Sequence, residues 1–247
     1  MVKIRHYFKR IATHPLNLLI FVLLPVGVAI INNSVIQVFI EDAGGMINAR
    51  VQATLISAII IIMFAFFGLS LIYDLLYDDF KSPRRWRLLA APTSLSKYIY
   101  ANGISSTIVS LVSSALIMLS SVIIYDAYLP NMWAFGAVVF VFTIFVQIMG
   151  MLIFLLVPKK GTAEAVTHAI VWSTTILSGN MFAAINMGAV LNFIFQRATP
   201  NALAMRALFY IIENNNIRGA MNYVGFIGIY VVVAAIVVAI VARRRSF

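Results

Sequence analysis

The stretch 51–73, VQATLISAIIIIMFAFFGLSLIY, contains no Asp, Glu, Lys or Arg over 23 residues. A helix needs about 20 apolar residues to cross the hydrocarbon core of a bilayer. The apolar residues here are continuous, as in the four isoleucines at 59–62, whereas membrane β-strands alternate apolar and polar residues. We therefore expect a transmembrane helix, because backbone in lipid must satisfy its own hydrogen bonds.

Five other stretches share this lack of charge and sufficient length. The six charge-free windows are 11–40, 51–73, 98–125, 127–158, 165–196 and 219–242. They predict an all-α integral membrane protein with six transmembrane helices, placed at 16–38, 51–73, 100–124, 132–157, 165–185 and 221–242. Composition agrees, since only 11% of the 247 residues are charged against about 25% in soluble domains. With no clear internal repeat and no separate soluble part, residues 1–247 are predicted to form one transmembrane domain.

The distribution of positive charge predicts the orientation of the chain. Fourteen of the 18 Lys and Arg residues fall on one side of a six-span layout, which the positive-inside rule assigns to the cytoplasm. The remaining four, on the other side, are Arg50, Arg197, Arg206 and Arg218. Both termini are then cytoplasmic. The net charge of +10 thus reflects topology and contact with anionic membrane lipids, and no nucleic-acid partner is expected.

Residues 1–15 are expected to form an amphipathic helix in the cytoplasmic interface. Ile4, Tyr7, Phe8 and Ile11 follow the spacing of one helical face, and such a helix lies in the plane of the membrane surface. It serves either as a topology anchor or as a connector that touches a cytoplasmic partner.

The basic segment 81–97 lies between the second and third predicted spans. Ser82 and Pro83 are typical of a helix N-terminus, and Pro92 ends the helix that they begin. Trp86 shares a face with Leu89. The residues by themselves leave two interpretations open, a solvated basic loop or a short cytoplasmic helix that docks on a partner.

The stretch RLLAAPTS at 87–94 resembles the signature that follows the second span in type-2 ABC exporter permeases. Two further segments are similar to elements of that family and occur in the same order. They are SGNMF at 178–182 and the proline-led segment ATPNALAMRAL at 198–208. The resemblance covers the whole chain, because six spans and an amphipathic start are also typical of the family.

The resemblance implies a permease dimer with two cytoplasmic ATPase subunits, located in a bacterial cytoplasmic membrane. It implies a coupling helix in the segment 81–97, a second ATPase contact through the N-terminal helix, and an external helical segment that re-enters the membrane before the last span. The implied ATPase-coupling residues are Arg84, Arg85, Trp86, Arg87, Leu88, Leu89 and Pro92. The implied connector contacts are Tyr7, Phe8, Arg10 and Ile11.

This chain is not expected to catalyse a reaction by itself. It has no G-x-x-x-x-G-K-[ST] P-loop, so ATP and Mg²⁺ are expected to bind to the partner ATPase. It has no cysteine and only three dispersed histidines, so no metal site is predicted. The sequence therefore indicates a permease subunit that is not an enzyme by itself and binds no cofactor.

Polar and Met-rich positions in the later spans are candidates for a substrate path or for the re-entrant segment. These candidates are Gln147, Asn180, Met181, Phe182, Asn186, Pro200 and Arg206. For Gln147 the alternative is a hydrogen bond across helices. His168, near the start of the fifth span, is either a proton relay or an interfacial packing residue.

The predicted substrate is hydrophobic or amphipathic. Small six-span relatives, including phenol-soluble modulin exporters, favour a peptide, and a lipid, glycolipid or drug is the alternative. The rival functions are an ion-coupled secondary transporter or channel and, less favoured, a membrane-embedded lipid-modifying enzyme. The transporter would usually carry charged residues inside its spans, which the six windows lack.

Overall fold

The computed structural model describes residues 19–42, 48–81, 95–177, 190, 193–194 and 198–244. Regular structure in these ranges is helical throughout. The helices are α1 (Leu24–Asp42, preceded by a π-helical turn Leu19–Leu23), α2 (Ala49–Lys81), α3 (Leu95–Tyr125), α4 (Met132–Leu156), α5 (Lys160–Leu177), α6 (Pro200–Ile212) and α7 (Ile217–Arg244). The all-α prediction is confirmed for the described part of the chain.

Five of these helices are long and apolar enough to cross a membrane. The stretches that meet this description are Leu19–Val38, Ala49–Phe80, Tyr98–Tyr125, Met132–Leu156 and Ile217–Arg243. They coincide with five of the six predicted spans. The remaining predicted span, 165–185, overlaps α5, which is described only as far as Leu177. A six-span layout therefore remains a prediction.

The second helix is longer than its charge-free window. We expected its end at residue 73, but α2 continues through three aspartates to Lys81. The acidic side chains do not stop the helix because they find partners elsewhere in the bundle: Asp79 bonds to Tyr98, and Asp74 and Asp78 pair with Lys160. Helix α3 likewise begins at Leu95, five residues before the expected start.

Helix α4 occupies the centre of the bundle and packs against α7, α2 and α3. Val138, Phe142 and Val146 on it are fully buried. Glycines allow close helix contact, as expected where van der Waals packing drives association in lipid. A Cβ placed on Gly150 would collide with Ile72 Cγ2 and lie 3.1 Å from the Leu69 carbonyl oxygen.

The two ends of the bundle are defined by the turns between α2, α3 and α4. At the Lys81 end, α2 ends close to the start of α3. At the Asp126 end, Arg50 at the start of α2 forms an ion pair with Asp126, which has a positive φ of 51°. Thr54 Oγ1 also donates to the Tyr128 carbonyl at 2.7 Å. Helices α2 and α3 are thus antiparallel and tied together at both ends.

Helices α6 and α7 form an antiparallel hairpin. Thr199 caps α6 through its side chain, Pro200 occupies the first turn, and the Asn216 amide donates to the Tyr210 carbonyl at the reversal. Tyr230 Oη donates to the Ala198 carbonyl at 2.7 Å. Since Tyr230 is near the midpoint of α7, the short helix α6 begins beside the middle of the long helix α7.

Candidate functional site

The helices that flank the segment 82–94 are the longest in the described part of the chain. Helix α2 has 33 residues and α3 has 31, which correspond to about 50 Å and 47 Å at 1.5 Å per residue. A hydrocarbon core is about 30 Å thick. If both cross a bilayer, they extend beyond its core.

A hydrogen bond and an aromatic contact join α2 to α3 at the Lys81 end. Tyr98 Oη donates to the Asp79 carboxylate. Asp79 is buried, with only 3% of its surface exposed. The rings of Phe80 and Tyr98 meet edge to face with centroids 5.7 Å apart. Phe80 also packs on Phe154 of α4 at 5.5 Å. The ends of three helices therefore form one packed cluster, which we call the Tyr98 cluster (Asp79, Phe80, Tyr98 and Phe154).

Lys160, at the start of α5, pairs with two acids on another face of α2. Its Nζ lies 3.1 Å from Asp74 Oδ1 and 3.4 Å from Asp78 Oδ1, which a single lysine can reach because the acids are one helical turn apart. Burial by itself would lower the pKa of Lys160, yet its pKa is raised because the hydrogen bond and charge of Asp74, with those of Asp78, outweigh burial. Lys160 is therefore held in its charged form and fastens α5 to α2.

The Tyr98 cluster makes a testable contribution to stability. Tyr98→Phe keeps the ring contact with Phe80 but leaves the buried Asp79 carboxylate without the tyrosine hydroxyl. We expect the free energy of unfolding to fall by about 1.5–3 kcal/mol, the usual range for a hydrogen bond to a charged group. Thermal unfolding of the purified chain in detergent measures the loss. Tyr100→Phe is the control, because Tyr100 is exposed in the same helix; equal melting temperatures for both variants would contradict the expectation.

A second polar cluster lies in the bundle interior around Gln147, which is 1% exposed. Ser106 Oγ donates to Gln147 Oε1 at 2.6 Å, and Gln147 Nε2 donates to Ser110 Oγ at 3.2 Å and to the Gly68 carbonyl at 3.3 Å. One side chain of α4 thus binds α2 and α3 together. This is the cross-helix alternative foreseen for Gln147, whereas its part in a substrate path stays a prediction.

A third polar cluster joins α1 to the same pair of helices nearer the Asp126 end. Asn33 Nδ2 donates to Ser57 Oγ at 3.3 Å, and Ser57 Oγ lies 2.5 Å from Ser121 Oγ. Ser34 Oγ lies 2.6 Å from Tyr125 Oη. This cluster was not predicted from the sequence.

The other predicted site residues divide into described and undescribed positions. Pro200 and the half-buried Arg206 lie on α6, which packs against α2, α4 and α7, and His168 is exposed on α5. Outside the described residues lie the coupling residues Arg84, Arg85, Trp86, Arg87, Leu88, Leu89 and Pro92, the connector residues Tyr7, Phe8, Arg10 and Ile11, and Asn180, Met181, Phe182 and Asn186. The described ranges contain no group of three His, Asp or Glu side chains that could hold a metal ion.

Comparison of the chain with protein-family models, with curated proteins and with solved structures finds no match. The arrangement of the described residues must therefore carry any functional assignment. Its main features are two long helices joined at the Lys81 end, a lysine that ties α5 to them, and a short helix beside the middle of α7.

Proposed function

We propose that this chain is the transmembrane subunit of an ATP-binding-cassette exporter in a bacterial cytoplasmic membrane, driven by ATP hydrolysis on a separate cytoplasmic subunit. The observation that carries the proposal is the Tyr98 cluster. It fixes the ends of α2 and α3 together on either side of the segment 82–94, the stretch whose sequence resembles a coupling helix. A force applied to that segment would reach both helices at once.

The same end of the bundle offers two routes into the other helices. Phe80 contacts Phe154 at the end of α4, and Tyr77 Oη donates to the Val157 carbonyl just after it. Lys160 then ties the start of α5 to α2 through Asp74 and Asp78. Packed contacts of this kind pass displacement between helices because protein interiors are close-packed. The proposal therefore needs no catalytic group in this chain.

The partners in this proposal are two copies of the ATPase, a second permease chain and membrane lipids. The ATPase copies bind ATP and Mg²⁺ and contact the coupling and connector residues named above. The second permease chain is either identical or a sister subunit. Lipids cover the exposed apolar faces of α3 and α7, which include Ile123, Ile229 and Val232, since such surfaces are not stable against water.

The substrate in this proposal is hydrophobic or amphipathic, with a peptide favoured. The hairpin of α6 and α7 supports a re-entrant external segment. If α7 crosses the membrane, its midpoint lies near the bilayer centre, and the bond from Tyr230 to Ala198 brings the start of α6 to that depth. Backbone at such depth must be buried in protein or line a wet cavity, and nine of the 13 residues of α6 are buried.

The direct test is co-purification. An affinity-tagged copy of the chain, extracted in mild detergent from the membranes of its own cells, is expected to bring with it a P-loop ATPase identifiable by mass spectrometry. ATP hydrolysis by the reconstituted complex should then drive movement of a labelled amphipathic peptide across vesicles. Transport that continues without ATP and stops when the ion gradient is collapsed would refute the proposal.

The orientation can be tested with single cysteines, since the chain contains none. Thr162→Cys and Asn214→Cys place a thiol at two exposed positions on opposite predicted sides of the membrane. A membrane-impermeant maleimide added to intact cells is expected to label Asn214→Cys only, and to label both after the membrane is opened. Labelling of Thr162→Cys in intact cells would invert the topology.

An ion-coupled secondary transporter is the second candidate, favoured by one observation. Asp74 lies within the apolar stretch Ala49–Phe80 and is paired with Lys160, and charged pairs at membrane depth are typical of ion-coupled transporters. Neutralising both residues, as Asp74→Asn with Lys160→Gln, discriminates the two functions. A coupled transporter loses gradient-driven uptake, whereas the exporter retains ATP-driven export through the contact of Phe80 with Phe154, although the route to α5 is weakened.

A further inference from the structure

The first span begins with an irregular turn that has an identifiable cause. Pro25 has no backbone N–H, so in an α-helix the carbonyl of Phe21 would lose its donor, and the proline ring would collide with that carbonyl. The turn Leu19–Leu23 is π-helical instead, a form that usually appears as a short interruption near functional sites. The turn packs through Phe21 and Val22 against Leu71, Leu75 and Val109 of α2 and α3.

A small cavity lies beside this irregular turn, between α1, α2 and α3. Its volume is about 10 Å³, and its lining comprises Phe21, Pro25, Phe64, Ala65, Gly68, Ser110, Ser113 and Ser114. About 10–15 Å³ of such volume is enough for one water molecule, provided that the cavity offers two to four polar partners. None of the lining residues is charged, so the cavity suits a neutral ligand.

The serines supply the polar partners. Ser113 is 5% exposed, and its Oγ has no hydrogen-bond partner among the described residues. Ser110 Oγ accepts from Gln147 Nε2 and keeps its own O–H for another acceptor. Ser114 differs from both, because its hydroxyl donates to the Ser110 carbonyl. Two hydroxyls therefore line the cavity with unused hydrogen-bonding capacity.

We propose that this cavity is a binding site for a single water molecule that bridges α3 and the turn Leu19–Leu23. The water accepts from Ser110, exchanges a hydrogen bond with Ser113, and donates to the Phe21 carbonyl in place of the N–H that Pro25 lacks. Buried polar groups in membrane helices are commonly satisfied in this way at prolines. The site extends the Gln147 cluster to the first span, so that one hydrogen-bonded chain runs from α4 to this turn.

The site can be tested without any partner protein. Brief X-ray irradiation of the full-length chain in lipid nanodiscs produces hydroxyl radicals from bound water, and these oxidise the nearest aromatic rings. Mass spectrometry is expected to find oxidation of Phe21 and Phe64, which line the cavity and are partly exposed, several-fold above that of Phe142. Phe142 is fully buried in the bundle interior. Equal oxidation of Phe64 and Phe142 would overturn the proposal.

A pair of variants separates bound water from general exposure. Ser113→Val removes the hydroxyl and fills the cavity, and should lower oxidation of Phe21 and Phe64 to the level of Phe142. Ser105→Ala is the matched control in the same helix, because Ser105 is buried and donates only to the Ala101 carbonyl; oxidation should be unchanged. Undiminished oxidation in Ser113→Val would refute the site. Should that variant fail to fold, Ser113→Ala takes its place: loss of the hydroxyl should again lower oxidation of Phe21 and Phe64, and undiminished oxidation would refute the site.

Discussion

Trp86→Ala combined with Arg85→Glu is expected to abolish ATP-driven transport while leaving the helical bundle folded and inserted. Both residues belong to the segment that we propose to dock on the ATPase. Truncation of a tryptophan at the centre of an interface typically costs 2 kcal/mol or more, which corresponds to about a 30-fold loss of affinity. Reversal of the neighbouring charge adds repulsion where the partner surface is acidic.

The measurement is binding of the ATPase to the reconstituted chain, followed by substrate-stimulated ATP hydrolysis. Trp133→Ala is the matched control, because Trp133 is 89% exposed at the opposite, Asp126 end of the bundle and should not meet a cytoplasmic subunit. Its binding and hydrolysis should equal those of the wild type. Assembly and transport that survive in the double variant would remove the coupling assignment from this segment.

Gly150→Leu is expected to destabilise the bundle interior strongly. A Cβ at this position collides with Ile72 Cγ2 and lies 3.1 Å from the Leu69 backbone oxygen, so α2 and α4 must separate to admit a side chain. Overpacking typically costs 1–3 kcal/mol and more when backbone must move. We expect the free energy of unfolding to fall by about 3 kcal/mol and the melting temperature to fall by about 10 °C, on the scale of globular proteins.

Thermal unfolding in detergent, followed by size-exclusion chromatography with fluorescence detection, provides the measurement. Gly136→Leu is the control in the same helix, since a Cβ there meets nothing within 4 Å. This variant gives the change in melting temperature when leucine replaces glycine in α4 without a collision. A melting temperature for Gly150→Leu equal to that of Gly136→Leu would show that α2 and α4 are not in close contact.

The apolar helices were predictable because lipid imposes a simple rule on composition and length. Helix α4 was expected at 132–157 and is found at Met132–Leu156, since Asn131 caps its start and Pro158 follows its end. The predicted end of α2, residue 73, lies eight residues before its actual end at Lys81. Its aspartates remain helical because Tyr98 and Lys160 satisfy them, and partners so distant in sequence cannot be inferred from charge alone.

The candidate sites were less predictable than the helices. Gln147 was recognisable as a polar residue in an apolar stretch, but its partners Ser106, Ser110 and Gly68 depend on how three helices are rotated about their axes. The clusters around Tyr98 and Asn33 were missed for the same reason. Both consist of ordinary residue types whose role arises only where α2 and α3 pack against each other and against α1 or α4.

The position of the glycine contacts along α2 determines how movement at one end of this helix relates to movement at the other. The helix approaches its neighbours closely around residues 68–72, where Gly68, Gly103 and Gly150 leave room for them. About 16 Å of helix lies between this point and Lys81, and about 32 Å between it and Ala49. If α2 tilts as a rigid lever about this fulcrum, each ångström of movement imposed at the Lys81 end becomes about two ångströms, in the opposite direction, at the Asp126 end.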